Sequence, residues 1–149
     1  MPQPHDRKHA PPVFEPALAD WPDTGVYQLW LEVSVGLRLR VGRLGRVSLE
    51  PGVYVYTGRA SRGLRARVLR HARGARRRHW HIDYLLARAE VRLLRVRLAA
   101  GEAEAECAVN KAVPGGECVL PGFGSSDCRR GCGSHLRYVP VALDARAAE

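Results

Sequence analysis

The chain has 149 residues, with 24 Lys and Arg against 15 Asp and Glu, a formal net charge of +9 and 46% hydrophobic residues. That is the length of one domain with an ordinary apolar content, able to bury a core without disulfides. Nowhere do about 18 apolar residues run together and residues 1–16 hold no apolar h-region. Neither a membrane span nor a signal peptide is therefore expected, and the reading is a cytoplasmic protein in which Cys107, Cys118, Cys128 and Cys132 stay reduced.

Residues 1–20 hold five of the ten prolines and no sustained apolar period, which predicts a mobile tail before a domain over 21–140, with a second tail over 141–149. From Gly25 the runs GVYQLWLEVSV, LRLRV, RVSLE and GVYVYTG are strand-like. They are separated by Gly36, the Gly42–Gly45 turn and Pro51-Gly52, a pattern that predicts an antiparallel meander. Strand alternation places Tyr54 and Tyr56 on one face and Val53 and Val55 on the other. After Gly58, Leu64, Val68 and Ala72 recur every four residues and predict a helix from about Ser61 to Arg73, with Ser61 as its N-cap. HWHIDYLLARA then has helical spacing, VRLLRVRL reads as a strand, and a further helix is expected from about Glu102 to Val113, stopped by Pro114-Gly115-Gly116. The remainder is loop-rich, with a short strand near Leu136–Val139. The predicted fold is α+β, a small antiparallel three-stranded sheet of GVYQLWLEV, GVYVYTG and VRLLRVRL flanked by helices, with a loop-rich C-terminal segment.

Charge is concentrated in one place. Between Pro51 and Ile82 there is no acid, and Arg59, Arg62, Arg65, Arg67, Arg70, Arg73, Arg76, Arg77 and Arg78 lie there; the rest of the chain is balanced. A single-sign field of this kind attracts polyanions, so nucleic acid is the leading partner class, set against the plainer reading of a solvated arginine face. On a helical wheel Arg62, Arg65, Arg70 and Arg73 span about 140° of arc, away from Leu64 and Val68. Arg67 falls at the rim of the apolar face near His71, where a guanidinium can reach inward, and is the helix residue singled out for chemistry. His79, His81 and Asp83 form H-x-H-x-D, but the arginines just upstream would repel a cation; His81 reads as a phosphate contact or a structural hydrogen bonder. Cys128, Cys132 and His135, as C-x3-C-x2-H, bring three zinc-type ligands close together, and Cys107 or Cys118 can supply a fourth. The alternative is a set of reduced thiols in a Gly-rich loop.

GVY at 25–27, YTG at 56–58, RVLRH at 67–71 and a glutamate on a later helix, taken in order, resemble the GIY-YIG nucleases. With WHIDYLL at 80–86, Glu106-Cys107, FGSSDC at 123–128 and SHL at 134–136, the pattern is similar to the small stand-alone Uri endonucleases, over about Gly25 to Tyr138. Taken alone, Tyr27 and Tyr56 would read as strand aromatics on a half-buried sheet, and Glu106 as a surface residue like Glu102 or Glu104. His71 would read as a residue interacting with the helix dipole.

The resemblance implies a metal-dependent endonuclease acting on nucleic acid, DNA ahead of RNA. Glu106 would hold one divalent ion, Mg²⁺ or Mn²⁺, on the leaving-group side. Arg67 would pair with the non-bridging phosphate oxygens, and Tyr27 would be the general base or water-positioning group, with Tyr56 as its partner and His71 as a second base. A free tyrosine has a pKa near about 10, so a basic Tyr27 needs cationic neighbours, which the arginine-rich segment can supply. Set against this stand a non-catalytic nucleic-acid-binding module and a zinc-stabilised interaction domain.

Overall fold

The computed structural model describes residues 10–74, 77–125, 128 and 131–139. The fold mixes α and β, as expected, but its main sheet has six strands and not three. These are β1 (Val13–Glu15), β2 (Gly25–Val33), β5 (Gly52–Ala60), β6 (Val91–Ala100), β7 (Glu117–Cys118) and β8 (Leu136–Val139). They are ordered β1-β6-β2-β5-β8-β7, with every pairing antiparallel except the parallel one between β1 and β6. The three expected strands are the middle of this sheet, β6-β2-β5. The LRLRV and RVSLE runs form a separate hairpin, β3 (Leu37–Arg40) and β4 (Arg46–Leu49).

Alternation along the long strands gives the sheet its two faces. Tyr27, Leu29, Leu31 and Val33 of β2 share the main core with Tyr54 and Tyr56 of β5, Val96 of β6 and Leu136 of β8. Over them pack Leu37, Leu39 and Leu49 of the hairpin, and Leu64, Val68, Ile82 and Leu85 from two helices. The helices are α1 (Leu64–Arg73) and α2 (His81–Leu86). On the second face Val55 and Val139 pack with Val113, which follows α3 (Glu106–Lys111), and with Trp30.

Three boundaries differ from expectation. The tail expected over 1–20 is tied down from Val13 onward: β1 pairs with Arg95–Arg97, Phe14 and Trp21 meet edge-to-face at 6.4 Å, and the Trp21 indole donates to the Pro16 carbonyl at 2.6 Å. Residues 1–9 and 141–149 lie outside the described residues. Helix α1 starts at Leu64 and not Ser61, because Gly63 takes the left-handed conformation (φ +70°) that a helix cannot continue from and that glycine adopts at least cost. The helix expected over 102–113 is a 3₁₀ turn at Ala103–Ala105 followed by the shorter α3. No helix among the described residues is long and apolar enough to cross a membrane.

Candidate active site

One cleft collects residues from two strands, two helices and the connecting loops. It is lined by Tyr27 of β2, Tyr56 and Arg59 of β5, Arg67 of α1, Trp80 just before α2, Glu106 at the start of α3, and Gly124, Cys128 and His135 from the C-terminal loops. Its volume of about 120 Å³ is small for an organic ligand, and its lining is largely polar; it suits a charged group with water. Of the five residues expected to carry chemistry, Tyr27, Tyr56, Arg67 and Glu106 line the cleft, and His71 stands directly behind Tyr27.

Strand register explains how Tyr27 fits. It lies opposite Gly58 on β5, and a Cβ at Gly58 would sit 2.5 Å from the Tyr27 hydroxyl and 2.6 Å from its ring. Only glycine leaves that room. The Tyr27 hydroxyl is 2.8 Å from His71 Nε2, with both residues buried. Burial pulls the His71 imidazole down to about 4, against the opposing pull of Asp83 and with help from Arg70 and Arg67. Nδ1 faces the Asp83 carboxylate, with Oδ1 at 4.0 Å, which favours the ring proton there, and in that tautomer Nε2 accepts from the Tyr27 hydroxyl. Burial and the neighbouring Tyr56 push Tyr27 well above the ordinary phenol value, and Arg67 does not offset them. The cationic neighbour expected to prepare Tyr27 as a base is present in Arg67, but burial outweighs its pull.

Arg67 is held before any ligand arrives. Its guanidinium donates to the Arg59 carbonyl at 2.5 Å and lies 4.7 Å over the Trp80 ring. Arg70, expected in the nucleic-acid stripe, is instead committed internally. It makes a two-pronged pair with Asp83 at 3.0 Å on each oxygen and lies 4.5 Å from the Trp80 ring centroid. Asp83, nearly fully buried, also accepts the amides of His79 and Trp80 at 2.7 and 2.9 Å. Burial raises this carboxyl, but Arg70 and the two amides outweigh it and hold it below its usual range. His81 takes the second of its two expected roles: Nδ1 accepts the Gly124 amide at 2.8 Å, tying α2 to the C-terminal loop.

Glu106 is the carboxylate of the cleft, while Glu102 and Glu104 are exposed residues outside its lining. One Glu106 oxygen is 3.6 Å from Arg59 Nε and the other 3.2 Å from His135 Nδ1. Behind His135, the donor atoms of Cys107, Cys128, Cys132 and His135 lie within 4.8 Å of one another, a group able to hold a metal ion. Cys107, and not the exposed Cys118, supplies the fourth member. Burial and the adjacent Cys132 and Cys128 push the Cys107 thiol up to about 12. Burial lowers the His135 imidazole, but Glu106 and the neighbouring thiols more than reverse this and bring it to about 9; a bound metal would displace that proton.

Among the other arginines, Arg59, Arg62, Arg65, Arg73, Arg77 and Arg78 are exposed, and Arg76 lies outside the described residues. Sequence reasoning did not assign Trp80, which carries both guanidinium groups, or Asp83, which organises Arg70. Asp83 had a legible signal: it is the first acid after the acid-free run, and a lone carboxylate there is likewise the natural partner of a guanidinium.

No curated protein and no solved structure matches the chain. The family described as "Domain of unknown function DUF123" matches residues 26–148, which include every residue lining the cleft, and the chain belongs to that family.

Proposed function

We propose that the protein is a phosphodiester hydrolase of the GIY-YIG type acting on nucleic acid, DNA in the first instance. The observation that carries this reading is the meeting of Tyr27, Tyr56, Arg67 and Glu106 in one small polar cleft, although β2, β5, α1 and α3 supply them separately. A divalent cation, Mg²⁺ or Mn²⁺, would neutralise phosphate charge and stabilise the leaving oxygen. Glu106 is the residue to hold it. A single carboxylate fits an ion that keeps most of its waters and takes a phosphate oxygen, and Arg59 would leave Glu106 and turn to the substrate phosphate.

The chain's own residues do the rest. Arg67, fixed by the Arg59 carbonyl and Trp80, offers a planar fork to the non-bridging oxygens with little ordering left to do. Tyr27 directs its own proton to His71 and offers an oxygen lone pair to water in the cleft. As water attacks phosphorus, its proton passes to the Tyr27 oxygen while the Tyr27 proton passes to His71 Nε2. This route needs no preformed phenolate, and the positive charge it leaves on His71, which burial disfavours, is met by Asp83 4.0 Å from Nδ1.

The test is cleavage of branched, flapped, single-stranded and duplex DNAs, and of RNA, with Mg²⁺ or Mn²⁺. Tyr27→Phe is expected to lower single-turnover cleavage by about 10²–10⁴-fold, and Glu106→Ala to abolish it while salt-sensitive binding persists. Full cleavage by Glu106→Ala would overturn the metal-ligand assignment. Salt-sensitive binding with no cleavage of any substrate by the wild type would replace the enzyme with a binding module.

A further inference from the structure

We infer that Cys107, Cys128, Cys132 and His135 bind a single zinc ion, and that this ion, acting through His135, sets the position of the Glu106 carboxylate. The four donor atoms lie within 4.8 Å of one another, and Cys107 Sγ and Cys128 Sγ are 3.3 Å apart. In a tetrahedral zinc site, with Zn–S near about 2.3 Å and Zn–N near about 2.0 Å, the donors are separated by roughly 3.5–3.8 Å. The observed group reaches that geometry by small side-chain movements. Three sulfurs and an imidazole are soft and borderline donors that select zinc and leave Mg²⁺ to oxygen ligands.

A second observation points the same way. His135 is almost completely buried, and its Nε2 has no hydrogen bond among the described residues. Nδ1 faces Glu106 Oε2 at 3.2 Å, which leaves Nε2 for the ion. A carboxylate behind a metal-bound imidazole fixes the ring and strengthens it as a ligand. Here the same contact works in reverse, because the ion fixes the ring and the ring fixes Glu106, leaving the second carboxylate oxygen towards Arg59 and the cleft. The ion would also join α3, which carries Cys107, to the loop that leads into β8. The zinc site stands independently, whereas its importance for catalysis rests on the function proposed above.

The test uses the full chain purified without added metal. Elemental analysis is expected to find one zinc per chain, and exchange with Co²⁺ to give thiolate charge-transfer bands and the visible bands of a tetrahedral site. Cys132→Ser is expected to lose both; should it fail to fold, the wild-type stoichiometry and Co²⁺ spectrum decide. Glu106→Gln is expected to weaken zinc about 10–100-fold in competition with a chelator and to shift the Co²⁺ bands, a change that loss of catalysis alone would not produce. A wild type that takes up neither zinc nor Co²⁺, or that carries a disulfide within the group, would overturn the site. Unchanged zinc affinity in Glu106→Gln would overturn the link to Glu106. Stoichiometric zinc in a protein that cuts no nucleic acid would leave this inference standing and remove the nuclease; cleavage by a zinc-free protein would do the converse.

Discussion

Gly58 determines where Tyr27 stands, since any Cβ there would strike the ring and its hydroxyl. Gly58→Ala is therefore expected to displace the phenol by a fraction of an ångström to an ångström. The expected outcome is a loss of roughly 10²-fold in single-turnover cleavage together with about 1–3 kcal/mol of stability, read by thermal unfolding. His71 makes a separate prediction. It faces Tyr27 of β2, Asp83 of α2, and Arg67 and Arg70 of its own helix. Its folded-state pKa of about 4 lies below the ordinary 6.5, so between these values the unfolded chain binds the proton and the folded one does not. Stability is thus fully present above pH about 6.5 and lost as pH falls towards about 4, by an amount of order 3 kcal/mol. Urea titrations across that range check it, and His71→Phe should flatten this part of the profile. The loss from protonating Asp83, whose pKa is depressed, falls at lower pH.

At the level of elements, α1 divides its arginines between two tasks that a helical wheel cannot separate. Arg73 is exposed, whereas Arg70 is spent on Asp83. Arg73→Ala is expected to weaken DNA binding and reduce the slope of log affinity against log salt by about 0.7–0.9, with stability unchanged. Asp83→Asn should leave that slope alone and cost about 2–4 kcal/mol, because Arg70 loses its partner and two amides lose a charged acceptor. Equilibrium binding at several salt concentrations, paired with denaturant melts, distinguishes them. The wheel assigned both arginines to one stripe because it carries no information about α2, the element that captures Arg70. The same limit explains the sheet. GVYQLWLEV, GVYVYTG and VRLLRVRL were legible from length and pattern, but the three residues of β1 and two of β7 are too short to show a period. Gly63 ended the helix early through a backbone conformation that apolar spacing does not record.

Across the whole molecule, the candidate site was legible as an ordered set of residue types, but its internal connections were not. Tyr27, Tyr56, Arg67 and Glu106 could be singled out, yet the contact of Glu106 with His135 joins residues on α3 and a distant loop and leaves no mark in either segment. Cys107 was one of two candidates for the fourth member of the metal-type group, and what selects it over Cys118 is that α3 folds beside that loop. The short parallel strand β1 has a further consequence. It pairs with Arg95–Arg97 in the middle of β6, a ten-residue strand rich in Val, Leu and Arg, and so occupies backbone groups there that would otherwise be available to another chain. Deleting residues 1–17 is expected to bare those groups and produce concentration-dependent self-association, visible by sedimentation. In this sense the N-terminal strand acts as a guard against the sheet growing from one molecule into the next.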